Sequence, residues 1–108
     1  MRFVLTLHRS RGAGLGSAAF LAAAAEAGEL VGEYALADPS LGVVVHLLDG
    51  APSVDSVPHP RPGAPATAQY VIDCEDRARA VELAVLLLGG GDGDVEVRPV
   101  MEAAGLEM

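Results

Sequence analysis

The stretch RFVLTLH, residues 2–8, decides how the sheet of this protein is built. Its odd-numbered positions are apolar and predict a strand face that points into the core: Phe3, Leu5 and Leu7. The even-numbered positions form the opposite face: Val4, Thr6 and His8. Val4 and Thr6 also suit a buried surface, so we expect both faces of this strand to be covered.

Working outward from this strand, the pattern predicts strands at 29–36, 41–48, 67–73 and 95–101, and helices at 18–27 and 75–88. Ser17 is expected to cap the first helix and Gly28 to end it. The two middle strands, 29–36 and 41–48, are expected to pair as a hairpin. Residues 49–66 hold five of the seven prolines and are interpreted as a constrained connection.

This order, β-α-β-β-β-α-β, predicts one α+β domain over residues 1–108, with a ferredoxin-like antiparallel sheet, an added strand or hairpin arm, and two helices on one face. LGVVVHLL (41–48) is apolar at nearly every position, which is unusual for a half-exposed antiparallel strand. LAVLLL (83–88) is apolar around the whole helix. We therefore expect a second copy to cover the free face, giving a homodimer with a dimeric α+β barrel.

Composition argues against several classes of function. A formal net charge of −8, with seven arginines and no lysine, disfavours nucleic acid as a partner. No stretch is long and apolar enough to predict a membrane span. The lone Cys74 favours the cytoplasm. GAGLGSAAFLAAAAEAG (12–28) after three arginines is similar to a signal peptide, but the strand FVLTL before it and its three glycines argue against secretion. The three histidines lack metal-ligand spacing, so neither a metal nor a cofactor is predicted.

Four segments carry a resemblance to a known family: GELVGEYALADPS (28–40), DGAPSVD (49–55), QYVIDCEDRARAVELA (69–84) and VEVRPVME (95–102). They resemble YCII-related proteins of the DGPF type, and the last segment is the most specific match. The resemblance extends over essentially the whole chain. It implies a ferredoxin-like dimeric barrel with a cleft between sheet and loop. Because some DGPF-type genes adjoin those of extracytoplasmic-function sigma factors, it also suggests a regulatory protein partner.

The sequence departs from that family at two places. At the first place the family has Asp-Gly-Pro-Phe, and this chain has Asp55-Ser56-Val57-Pro58. At the second place the family has an acidic segment, and this chain has His59-Pro60-Arg61-Pro62. Enzyme-like YCII relatives use a histidine near the start of the first helix, paired with an aspartate. The corresponding position here is near Ser17, so that histidine is missing.

Asp55, His59 and His8 are the candidate catalytic residues. A carboxylate beside an imidazole fixes its tautomer and raises its basicity, which suits acid/base chemistry. The alternative is that Asp55 caps its own turn and that His59 lies in solvent on a proline-rich run. We favour this structural interpretation of the loop.

Thr6, Ser56, Tyr70 and Arg98 are the candidate ligand-binding residues. Arg98 is expected to bind an anionic ligand or an acid from another strand or subunit. Glu96 is judged too close to Arg98 along the same strand to be its ion-pair partner. The structural ion pair is favoured over the ligand. His46 is interpreted as a packing residue, and the neighbouring acids are expected to raise the pKa of Cys74.

Three functions remain open. The favoured one is a dimeric binding or regulatory module that takes a small-molecule ligand without catalysis. The second is a small-molecule enzyme, similar to a lyase or dehydrochlorinase, that uses an Asp-His pair. The third is a structural dimer without a ligand.

Overall fold

The strands and helices follow the predicted order, with one additional strand. The computed structural model describes residues 1–9, 17–55 and 64–101. The strands are β1 Arg2–His8, β2 Leu30–Ala35, β3 Val44–Leu48, β4 Ala51–Asp55, β5 Ala66–Asp73 and β6 Asp94–Pro99. The helices are α1 Ala18–Glu26 and α2 Arg77–Leu88, and a short 3-10 helix spans Pro39–Leu41. The α+β class is thus confirmed.

Four strands form an antiparallel sheet in the order β2-β5-β1-β6. The alternation predicted for β1 is present, since Phe3, Leu5 and Leu7 are fully buried. They join a core with buried residues of β5 and both helices, among them Ile72, Phe20 and Leu83. Both helices therefore pack on the same side of this sheet.

The ends of the helices are fixed as the sequence predicts. The Ser17 hydroxyl accepts a hydrogen bond from the Phe20 amide at 3.1 Å and donates one to the Leu86 carbonyl. This one side chain therefore caps α1 and ties its start to the end of α2. Gly28 follows α1 with a φ of 70°, the left-handed conformation expected after a helix.

The predicted hairpin between residues 29–36 and 41–48 is wrong. β2 pairs with β5, whereas β3 pairs with β4 in a separate two-stranded sheet. Asp49 and Gly50 join β3 to β4 with positive φ angles of 50° and 81°, as in a type I′ turn. The interpretation of residues 49–66 as a plain connection overlooked β4. Pro52 obscured it, although an edge strand accommodates proline.

The β3–β4 hairpin, residues 44–55, is called the arm below. Among the described residues, the core cluster includes none from the arm. The radius of gyration is 15.9 Å, against about 13 Å for a compact domain of this length. The arm therefore lies outside the core cluster of the described residues. Within the described residues, neither helix has the length and apolar composition to cross a bilayer.

Candidate functional site

The side of the four-stranded sheet away from the helices carries a row of polar residues. Cross-strand pairing aligns Tyr34 with Gln69, Gln69 with Thr6, and Thr6 with Glu96. The Gln69 side-chain amide donates a long hydrogen bond of 3.5 Å to the Thr6 hydroxyl. We call this side the open face and define it by the following residues: Val4, Thr6, Tyr34, Gln69, Val71, Glu96 and Arg98.

The centre of the open face is shielded even without a covering layer. Thr6 is only 7% exposed, and the flanking Val4 and Val71 are half-buried. Tyr34 is well exposed, and its ring lies over the Cα of Gly32 on the same strand. The open face thus offers hydrogen-bonding groups beside apolar side chains, a combination typical of small-molecule sites.

Arg98 pairs with the residue that sequence reasoning had excluded. Its guanidinium lies 2.5 Å from the Glu96 carboxylate. Residues two apart on a strand share one face, and the edge position of β6 leaves both long side chains room to meet. The judgement that Glu96 is too close was therefore wrong. Arg98 remains 71% exposed, so its guanidinium can still reach an anion.

His8 lies at the end of β1, on the same side as Thr6 by alternation. Its Nδ1 atom is 3.2 Å from the Ala64 carbonyl oxygen, a contact in which Nδ1 carries the proton. That tautomer leaves Nε2 as an acceptor. His8 could thus accept a hydrogen bond at the end of the open face.

The structure pairs Asp55 with an imidazole other than the two predicted. The Asp55 carboxylate lies 3.8 Å from Nδ1 of His46, and both side chains are about one-third exposed. The pairing of Val44 with Asp55 and of His46 with Ser53 puts Asp55 and His46 on one side of the arm. The distance exceeds a hydrogen bond, so the interaction is electrostatic and requires a protonated imidazole. Ser56 and His59, the other predicted members of this site, lie outside the described residues.

Tyr70 occupies a different environment from the other candidate ligand-binding residues. It is 1% exposed and packs edge-to-face on Phe20, with ring centroids 4.9 Å apart. It therefore faces the helices, and its neighbour Gln69 faces the open side. For this reason we leave Tyr70 out of the proposed site.

Cys74 is buried at the end of β5, and its thiol is 3.4 Å from the Asp76 carbonyl oxygen. Burial raises the pKa of the Cys74 thiol, and the negative charges of Glu29 and Asp76 add to this effect. The predicted direction is confirmed, but burial contributes more than the neighbouring acids. Such a thiol is a poor nucleophile at neutral pH.

The arm presents its apolar side outward. Val45, Leu47 and Val54 lie on the side opposite His46 and are 62%, 69% and 59% exposed. Leu41, Val43 and Leu48 nearby are also exposed. Scattered apolar residues are ordinary on a protein surface, but a contiguous group of this kind marks an interaction surface.

Sequence reasoning missed His46 as the partner of Asp55, although the signal was present. Asp49-Gly50 is the preferred composition of a two-residue hairpin turn. With the turn at these residues, the alternation of side chains puts positions 46 and 55 on one face.

A scan against protein-family models finds no match for the chain, and a search of curated proteins finds none either.

Proposed function

We propose that this protein is a homodimeric, ferredoxin-like module of the YCII/DGPF type that binds a small molecule without catalysis. The observation that carries the proposal is the open face, where Thr6 and Gln69 form a polar centre between half-buried valines. The strand order β2-β5-β1-β6 supports the ferredoxin-like assignment. The four sequence segments described above support the family.

A second copy is the proposed cover of this surface. Both helices pack on the other side of the sheet, so a twofold-related sheet can approach the open face. Val4 and Val71 would then pack between the sheets, with the polar row enclosed between them. We place this dimer in the cytoplasm, where it could also signal ligand binding to a regulatory protein.

The enclosed residues define the chemistry of the ligand. Thr6 and Gln69 supply neutral hydrogen-bonding groups, and Tyr34 adds an aromatic ring. Arg98 supplies a cation at the edge, partly neutralised by Glu96. These groups suit a small organic molecule with polar substituents and at most one acidic group.

A matched pair of variants tests the sheet-to-sheet dimer. Val71→Glu puts a charge into the proposed interface and should give a monomer by sedimentation equilibrium. Val81→Glu puts the same charge on an exposed position of α2 and should leave the dimer intact. A dimer that survives Val71→Glu would show that the open face is not the interface.

Catalysis is the second candidate, favoured by the 3.8 Å separation of the Asp55 carboxylate and the His46 imidazole. A proton could pass between such a pair and a bound substrate in a lyase-like reaction. If substrate screening reveals turnover, His46→Ala and His8→Ala should each reduce kcat. Unchanged rates in both variants would remove this candidate.

A further inference from the structure

We propose that the ligand of the open face carries a protonated amine, bound where β1 ends and β6 begins. Four residues form this site, which we call the amine site: Thr6, His8, Asp94 and Glu96. The inference rests on the proposed function and deepens it, because it names the chemical class of the ligand. All four residues belong to one chain, so the amine site does not depend on the dimer.

Strand register brings the four residues of the amine site together. β1 and β6 are antiparallel, with His8 opposite Asp94 and Thr6 opposite Glu96. Residues paired in this way have Cβ atoms about 4.5–5.5 Å apart. Val95, between the two acids, packs against the core, so alternation puts both carboxylates on the open face.

The backbone holds this end of the two strands together. Gly93 precedes β6, and a Cβ added to it would lie closer than 3.0 Å to the His8 carbonyl oxygen. Because glycine has no side chain, β6 can begin directly against the last residue of β1. Asp94 is therefore held beside His8.

Hydrogen-bond acceptors predominate in the amine site. The Nδ1–H group of His8 is directed to the Ala64 carbonyl oxygen, which leaves Nε2 as an acceptor. The carboxylates of Asp94 and Glu96 only accept hydrogen bonds. An ammonium group donates three hydrogen bonds and accepts none, so it complements these three residues.

Thr6 is a separate observation that points to a ligand. It is only 7% exposed, yet within the described part of the chain its hydroxyl makes one hydrogen bond, which it accepts from Gln69 at 3.5 Å. The hydroxyl hydrogen thus has no acceptor among the described residues. A buried hydroxyl of this kind costs stability unless another group satisfies it. A ligand with a hydroxyl or carbonyl oxygen near its amine supplies that acceptor.

Charge also favours a cation at this end of the open face. Arg98 is already paired with Glu96. Arg9, which follows His8, is directed away, since its guanidinium donates to two backbone carbonyls at the end of α2 and in the turn after it. Among the described residues, no ion pair joins Asp94 to a cation. Its uncompensated negative charge attracts a protonated amine.

Three matched compounds test the charge of the ligand: phenylethanolamine, styrene glycol and mandelate. Each has a phenyl ring and a hydroxyl group, and they differ in carrying an ammonium, a second hydroxyl or a carboxylate group. In titrations followed by amide NMR, phenylethanolamine should shift the Thr6 and His8 signals, with a Kd at least about tenfold lower than that of the other two compounds.

The other outcomes of this titration separate the inference from the proposed function. Equal or tighter binding of styrene glycol or mandelate at the same amides would overturn the amine assignment and leave the open face as a ligand site. No shift from any of the three compounds at millimolar concentrations would also overturn it. The proposed function would then depend on a screen of other uncharged and acidic compounds.

Two variants test whether the amine binds at Asp94. Asp94→Asn keeps the size of the side chain and removes its charge, so it should weaken the binding of phenylethanolamine about tenfold and leave that of styrene glycol unchanged. Asp92→Asn removes an exposed charge from the turn before β6 and should change neither affinity. Unchanged binding of phenylethanolamine to Asp94→Asn, or equal losses in the two variants, would overturn the amine site.

Discussion

The guanidinium of Arg79 binds both carboxylate oxygens of Glu29, with hydrogen bonds of 2.9 to 3.1 Å. Arg79 lies in the first turn of α2, and Glu29 lies between α1 and β2. The interaction therefore joins one helix to the segment that leads from the other helix into the sheet. Its two-point geometry is specific to arginine.

Loss of this interaction should destabilise the fold. Arg79→Ala leaves the largely buried Glu29 carboxylate without its cation, so we expect the free energy of unfolding to fall by about 1–2 kcal/mol. Arg79→Lys should recover only part of it, because an ammonium group cannot form the fork. Urea unfolding measures the free energy of unfolding of both variants, and Arg77→Ala, at an exposed position, is the control. Equal effects of Arg77→Ala and Arg79→Ala would contradict this role.

Two glycines near the end of α2 offer a controlled test of backbone packing. Gly90 and Gly93 have φ angles of 79° and 111°, so alanine is strained at either position. A Cβ at Gly90 would meet nothing within 4 Å, whereas one at Gly93 would lie closer than 3.0 Å to the His8 carbonyl oxygen. We expect Gly90→Ala to cost about 1 kcal/mol and Gly93→Ala about 3 kcal/mol or more.

Urea unfolding of both variants measures these costs. A larger loss for Gly93→Ala reflects the contact with His8 together with its φ of 111°, which is further from the left-handed helical value than that of Gly90. Equal losses would mean that the backbone at Gly93 can move away from β1.

The raised pKa of Cys74 predicts how stability depends on pH. Below the ordinary thiol pKa of 9.0, both the folded and the unfolded chain keep the proton, and the group contributes its full stability. As pH rises above that value, the unfolded thiol ionises first, so the free energy of unfolding falls until the folded thiol also ionises. The wild-type protein should therefore lose stability relative to Cys74→Ala as the pH rises above 9.0. Parallel pH profiles for the two proteins would contradict the assignment.

A substitution at the centre of the open face should weaken ligand binding and leave the stability of the fold nearly unchanged. Thr6→Val keeps the side-chain shape and removes a hydroxyl that makes one long hydrogen bond within the described part of the chain, so the free energy of unfolding should change by less than about 1 kcal/mol. A ligand found by thermal-shift screening should nevertheless lose its stabilising effect. Thr67→Val, whose hydroxyl bonds to the Leu7 carbonyl, is the control. A ligand that still stabilises Thr6→Val must bind elsewhere.

Alternation and helix caps were enough to predict most of the fold. The period of two in β1 identified its buried face, and Ser17 and Gly28 fixed the ends of α1. The exception was the pairing of β3. Sequence adjacency favoured β2 as its partner, whereas the Asp49-Gly50 turn, a stronger local signal, joins it to β4.

The candidate site was harder to predict, because contacts between side chains depend on register. Asp55 and His46 come together only once the arm is known to be a hairpin. The Arg98–Glu96 pair forms within one edge strand, where we had expected a partner from another strand or subunit. The side of the sheet that a residue faces depends on its place in the alternation of the strand. Gln69 therefore faces the open side, whereas the adjacent Tyr70 faces the core.

Sedimentation equilibrium of the unmodified protein at micromolar concentrations tests the central claim, the homodimer, most directly. The chain has a mass of 11.0 kDa, and the account predicts a particle of twice that mass. A mass of 11.0 kDa at every concentration would contradict it, because the open face would then remain uncovered.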